Sequence, residues 1–352
     1  MQKKIAVVGA GLIGRRHIEI LADEGFGATL SAIVDPTEGA RAYAAQLNVP
    51  YFVGIDELLA ADKPDGVVIA TPNQLHVQHG LQCIGAGCPT LIEKPIAVTS
   101  GEAQELVALA NHKHVPILVG HHRRHNPLIQ TAKSIIDSGS IGNIVAVHGT
   151  CWFLKPDDYF VPEWRRRKGA GPVMINSIHD IDLMRFLCGE VVEVRAISSN
   201  KCRKLDVEDT AAVLFTFESG ALGTFSLSDT IGSPWSWELT SGENSEFVAT
   251  YQSCYMIGGT LGSLSIPDLR VWTHGVGGHW KQAVIVDVHE SPTIEPLQSQ
   301  LEHFLNVIAG TAVPLVSGEE GLKSLRVVEA IQRAVELDEA VRPGDAAGLS
   351  VA

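Results

Sequence analysis

Three stretches of this sequence bring together residue types that do chemistry. The first is Gly9-Ala10-Gly11-Leu12-Ile13-Gly14, which follows the apolar run Ile5-Ala6-Val7-Val8 and precedes the helix-compatible Arg15-Arg16-His17-Ile18-Glu19-Ile20-Leu21. Strand, glycine turn and helix in that order suit a dinucleotide. Gly9 permits the tight turn, Gly11 lets the backbone approach a pyrophosphate, Gly14 allows close helix–strand contact, and the helix N-terminus offers N–H groups and a favourable dipole. The second stretch is Glu93-Lys94-Pro95, at the end of an apolar run and so expected, in a parallel sheet, to bring Glu93 and Lys94 to the cofactor. An ammonium at the C-terminal end of a parallel strand could hold a substrate hydroxyl or carbonyl oxygen; the plainer alternative is an ion pair of Lys94 with Glu93. The third runs from Asn176 to Asp182, where Asn176, His179 and Asp182 recur every three residues and share a helix face beside Ile175, Ile178 and Ile181. Histidine suits the uptake of a proton near neutral pH, as oxidation of an alcohol requires, although His179 on a part-apolar helix could equally be structural.

Leu30 to Asp35 is a second apolar run whose final acid lies 21 positions after Gly14, the spacing of a carboxylate on an adenosine ribose. An ionised Asp35 accepts from a free 2′-hydroxyl and repels a 2′-phosphate, so NAD is the expected cofactor. Arg15, Arg16 and Arg41 leave NADP open, because a guanidinium suits a phosphate. Thr71, Asn73 and His76 follow a further apolar run, either as cofactor contacts or as caps of an ordinary strand-to-helix loop. Arg123, Tyr159, Trp164 and Arg165, with Lys155, Asp157, Asn126 and Trp152 as neighbours, are the aromatic and charged mixture that suits a polyhydroxylated ligand. Neither the His179 cluster nor His121-His122-Arg123-Arg124-His125 has zinc-protease spacing, and no metal is expected.

Strand-end residues meet a ligand only if parallel strands carry them to one edge of a sheet. Residues 1 to about 122 alternate apolar runs with helical stretches, giving expected strands over 4–8, 29–34, 50–52, 66–70, 89–93 and 116–119 and helices near 13–23, 37–46, 55–60, 74–86 and 100–111. After His121 the pattern changes. A helix near 127–137 leads into runs at 144–148, 192–198, 211–217, 223–228, 247–251 and 283–286, with one helix near 174–187 and closing amphipathic stretches at 296–309 and 318–337. The expected fold class is α/β: an N-terminal Rossmann dinucleotide-binding domain over 1–122, then a C-terminal α+β domain over 123–352 with a large open, mainly antiparallel sheet.

A chain of 352 residues suits two cores, and 45% hydrophobic with 19% charged residues describes a globular protein. A net charge of −13 argues against a general nucleic-acid or anionic-membrane partner. The six cysteines are scattered, without zinc-like pairs or a disulfide framework, and the sequence shows neither a signal-like segment nor a bilayer-length apolar run. A cytoplasmic location is the expectation.

Taken together, these residues resemble the Gfo/Idh/MocA family, the relatives of glucose–fructose oxidoreductase and inositol 2-dehydrogenase. The resemblance is carried by the glycine loop, Thr71-Pro72-Asn73 with His76, Glu93-Lys94-Pro95, Gly120 to Arg124, Trp164-Arg165, Ile178 to Asp182, Leu301-Glu302-His303-Phe304 and Ser317 to Gly321. It implies an NAD(P)-dependent oxidoreductase of sugars, cyclitols or related polyols, with the cofactor in the first domain. It also implies a homodimer or homotetramer, often packed through the second domain's sheet. By this resemblance Lys94 orients the reacting oxygen and His179 accepts the proton. Four residues before the histidine, where the family usually has aspartate, this sequence has Ile175. Asn176, one position later, can hold a substrate hydroxyl or orient the imidazole but cannot carry the proton. Relatives also imply two other classes: NAD-dependent glycoside cleavage without net redox change, and non-enzymatic dinucleotide-binding regulators.

Overall fold

Ile5, Val7, Ile33, Val67, Val68 and Ile92 are β-branched and fully buried, the composition of strands covered on both faces and hence of a parallel sheet. The computed structural model describes residues 2–275 and 278–345. In its first part β1 (Lys3–Val8), α1 (Leu12–Ala22), β2 (Ala28–Val34), α2 (Glu38–Gln46), β3 (Tyr51–Phe52), α3 (Ile55–Ala61), β4 (Gly66–Ile69), α4 (His76–Gly85), β5 (Thr90–Ile92), α5 (Ser100–Lys113) and β6 (Ile117–Val119) alternate strand and helix. The strands form one sheet in the order β3-β2-β1-β4-β5-β6, every pair parallel. Strand order reverses between β1 and β4, so the loops that follow these two strands flank the topological switch point where such sheets take their ligands.

The second part contains α6 (Pro127–Asp137), β7 (Ile144–Trp152), α7 (Pro172–Ile175), α8 (Ser177–Cys188), β8 (Val191–Ser199), β9 (Thr210–Phe217), β10 (Leu222–Ser228), α9 (Trp237–Thr240), β11 (Tyr255–Gly259), β12 (Gly262–Ile266), β13 (Arg270–Thr273) and β14 (Ile285–Val288). Its eight-stranded sheet runs β14-β13-β12-β11-β7-β10-β9-β8, antiparallel except for the β7–β10 pair. One face carries Val147, Val194, Val213, Phe215, Phe225 and Ile257 into a core shared with Ile129 of α6 and Ile178, Ile181 and Met184 of α8. The opposite face leaves Ile197, Leu214, Leu222 and Met256 exposed. Two helices close the chain, α10 (Pro296–Ile308) and α11 (Gly318–Leu337).

The division into units differs from the continuous one expected at 122/123. Residues 1–125 and 296–325 form one compact unit, and 126–295 with the residues from 326 onward form the other; the expected second domain ended at 352, and 346–352 lie outside the described residues. Segment 296–325 belongs to the first unit because Phe304 and Ile308 press on Gly66, Ser317 bridges Leu118 beside β6, and Gly321 lies against Val119. Contacts between residues so far apart leave no trace in local periodicity. Two local expectations also change. Residues 247–251 are not a strand: the Thr250 amide bonds the Leu239 carbonyl, Tyr251 has φ +55°, and Val248 is exposed. The helix expected over 174–187 is two helices, broken at Asn176.

Candidate active site

In the first unit the glycine loop is fixed by sterics. Gly9 has φ +94°, and a Cβ there would collide with the Ala70 carbonyl; one on Gly14 would overlap the Gly9 carbonyl. Gly11 is different, because its φ of −71° suits any residue and an added Cβ would meet nothing within 4 Å. The protein itself does not require glycine at position 11, so the open space above it fits a backbone approached by a ligand. No side chain caps α1, and Leu12 and Ile13 begin that helix beside the open space. These features fit a dinucleotide pyrophosphate.

Asp35, at the end of β2, accepts from the Ala10 amide at 2.9 Å through Oδ2, and from the Thr37 amide at 2.9 Å and hydroxyl at 2.6 Å through Oδ1. Burial opposes its charge, but the Thr37 hydroxyl, the two amides and Arg15 outweigh burial and hold the carboxyl below its usual range. Arg15 is itself engaged: its Nε donates to the Ala10 carbonyl at 3.2 Å and its guanidinium lies 4.6 Å from the Tyr43 ring centre.

Thr71 and Asn73 stand after β4, with Asn73 exposed at the start of a short 3-10 turn. His76 was expected as a cofactor contact, but it is 1% exposed and its two ring nitrogens lie 2.8 Å from the Thr71 carbonyl and 2.7 Å from the Pro95 carbonyl. It ties the loop after β4 to the loop after β5. Glu93, expected in the same role, turns inward too. Its Oε1 is 2.7 Å from Nε2 of the fully buried His17, and its Oε2 accepts from the Lys94 amide at 3.3 Å. Burial opposes the Glu93 charge, yet the hydrogen bond and charge of His17, with His122 and Lys94, keep its pKa low. In both cases the physical reason is the same: a polar side chain that the fold buries takes the nearest buried partner. Lys94 alone in the tripeptide stays partly exposed, between buried Glu93 and Pro95. Arg123 also belongs to this unit and is buried.

The second unit holds Tyr159, Trp164, Arg165, Asn176 and His179. Asn176 ends α7 and caps α8; its carbonyl receives the His179 amide at 3.4 Å, which places His179 in the first turn of α8, buried. The Asn176 side-chain oxygen accepts from Lys155 Nζ at 2.9 Å. That ammonium lies 4.6 Å from the Tyr159 ring, and Arg165 lies 4.2 Å from the same ring while donating to the Tyr159 carbonyl at 2.9 Å. Trp164 is 57% exposed and beside Arg165. Asp180, the acid next to His179, receives the Tyr255 hydroxyl. Asp229 and Arg203, which support Lys155, drew no attention as sequence: neither sits in a motif, and only the fold brings them beside residue 155. His17 was visible as a polar residue on the helix after the glycine loop, but its partner was not.

Comparison with known proteins adds the lineage of both units. Residues 3–121 match the model of an oxidoreductase family with an NAD-binding Rossmann fold, and residues 129–265 match that of the GFO/IDH/MocA C-terminal domain. Inositol 2-dehydrogenase 2 of Saccharopolyspora erythraea is 30% identical over 239 residues, covering 63% of this chain and 65% of that protein. Inositol 2-dehydrogenase 1 of the same organism is 26% identical over 344 residues, 96% of this chain and 95% of that protein. Among solved structures, an oxidoreductase from Agrobacterium radiobacter in complex with NAD+, L-tartaric acid and magnesium superposes with a TM-score of 0.83 at 20% identity, covering 98% of this chain and 99% of that one.

Proposed function

This chain belongs to the GFO/IDH/MocA family of NAD-binding oxidoreductases, and from that premise we propose that it is a dehydrogenase oxidising a secondary alcohol of a sugar, cyclitol or related polyol. The observation that carries the proposal is the anchoring of Lys94. Its neighbours Glu93 and Pro95 are tied to His17 and His76, so the ammonium is presented from a backbone that cannot drift. NAD, held along Gly9, Gly11, Leu12, Ile13 and Gly14 with its ribose toward Asp35, supplies the hydride acceptor. Lys94 holds the substrate oxygen and offsets the charge that develops there. His179 takes the hydroxyl proton. Asn176, Tyr159, Trp164, Arg165 and Arg123 bind the remaining hydroxyls. The inositol 2-dehydrogenase names of two relatives support a cyclitol among the candidates.

We further propose NAD over NADP. Asp35 keeps its charge at the strand end, while Arg15 is drawn onto Tyr43 and the Ala10 carbonyl. The test is a panel of inositols, polyols and aldoses followed by nicotinamide absorbance, with NAD and NADP in parallel. Steady NADH formation on a free polyol is expected, and Lys94→Ala or His179→Ala should lower kcat by about a hundredfold or more, the scale of a general acid–base contribution. Wild-type turnover in either variant overturns the assigned role. Glycoside cleavage without net NADH, or no turnover, would point to the other classes found among relatives.

A further inference from the structure

An ammonium group can only donate hydrogen bonds, and this decides which way round the Asn176 amide stands. Lys155 Nζ lies 2.9 Å from the Asn176 side-chain oxygen and 3.7 Å from Asp229 Oδ2. An amide nitrogen in that place would set donor against donor, so the contact itself identifies oxygen as the atom facing Lys155. The amide nitrogen, with two N–H groups, is left without a hydrogen-bond partner among the described residues, and Asn176 is partly exposed.

Lys155 is not free to change sides. It is 8% exposed, and its Asp229 partner, 2% exposed, is held by Arg203 Nε at 2.9 Å. The same guanidinium donates to the Lys155 carbonyl at 2.8 Å. Asp229 thus holds the side chain of Lys155 and Arg203 its backbone, and the two holding groups are bonded to each other.

We propose that Lys155 is a positioning residue that locks Asn176 as a hydrogen-bond donor, so that Asn176 recognises a hydroxyl, carbonyl or carboxylate oxygen of the substrate and refuses an ammonium substituent in its place. The proposal rests on the placement of Asn176 at the substrate made above. A substrate ammonium would face two N–H donors with a buried cation behind them, and neither could turn to accept.

Four variants of the full-length protein separate the possibilities, assayed with NAD, the polyol found active in the panel and its aminated analogue. Asn176→Ala is expected to lower kcat/KM about tenfold or more. Asn176→Asp should do no better, since it replaces two donors by an acceptor that Lys155 claims. Lys155→Met should leave the KM for NAD within twofold, raise the polyol KM about tenfold and narrow the preference for polyol over amine. Lys155→Arg, which keeps a cationic donor, should retain that preference. In Lys155→Met the thioether replaces the aliphatic stem and Asp229 keeps Arg203; if this variant fails to bind NAD, the two Asn176 variants still decide the donor question. Wild-type kcat/KM in Asn176→Asp beside an impaired Asn176→Ala overturns the donor assignment. Unchanged KM and preference in an NAD-binding Lys155→Met overturns the role of Lys155. Unchanged turnover in Asn176→Ala overturns the underlying placement of Asn176 instead.

Discussion

Asp35 both organises the loop it faces and meets the cofactor in the proposed function. Its two oxygens hold the Ala10 amide and both donors of Thr37, which braces the turn before any ligand arrives. Asp35→Asn keeps one acceptor and loses the charge. The KM for NAD is expected to rise about tenfold, the scale of a charge-assisted hydrogen bond, and the preference over NADP to narrow; steady-state kinetics with both cofactors measures both. Because the folded-state pKa of Asp35 lies below its ordinary value, its charge is complete above that value and is lost only as pH falls through the lower one. The wild-type KM for NAD should therefore stay flat from neutral pH down to the usual carboxylate range. At this scale the glycines were readable from sequence, since few residues tolerate φ +94° or a carbonyl against Cα. His76 and Glu93 were not: their types suit a ligand or a buried partner equally, and only coordinates tell which lies nearer.

Among the elements, α1 and the end of β5 are coupled through His17 and Glu93, and the loops after β4 and β5 through His76. Breaking the first pair leaves a buried group uncompensated, so Glu93→Gln is expected to cost about 3 kcal/mol at neutral pH. The pH dependence has a definite sign. The Glu93 pKa is lowered in the fold, so its contribution is complete above the ordinary glutamate value and disappears as pH falls through the folded one. Urea unfolding of wild type and Glu93→Gln should show a gap that is constant near neutrality and closes in acid; a gap that widens in acid contradicts the ion pair. The break between α7 and α8 belongs to the same scale. Periodicity described one helix, because Ile175, Ile178 and Ile181 keep their spacing across it. The interruption comes from Asn176, whose side chain serves Lys155, with the Val173 amide bonded to Glu208 in the preceding turn.

For the whole molecule the consequential feature is that the first unit is discontinuous. Phe304 is fully buried and its ring lies over Gly66 of β4, so Phe304→Ala should cost about 3–5 kcal/mol and lower the melting temperature together with NAD affinity. Calorimetry with and without NAD checks this, and undiminished NAD binding would show that 296–325 is dispensable to the first unit. The outer face of the second sheet carries Ile197 on β8, Leu214 on β9, Leu222 on β10 and Met256 on β11; Met256, His148, Thr224 and Leu214 form one cross-strand row in which His148 is bonded to Thr224. We propose that a second copy of the chain covers this face, giving a dimer or tetramer. Leu214→Glu is expected to reduce the mass seen by light scattering to that of the monomer. The alternation of strand and helix, the dinucleotide loop and the antiparallel texture of the second half were legible in the residues alone, because these depend on side-chain period and on backbone positions that admit few residue types. Tertiary structure alone decided that residues 296–325 complete the first unit, that His17, His76 and Glu93 face inward, and that Lys155 and Asp229 stand behind Asn176. Each of these is a pairing of buried polar or apolar groups far apart in the chain, and its energy depends on distance in space, which no local pattern encodes.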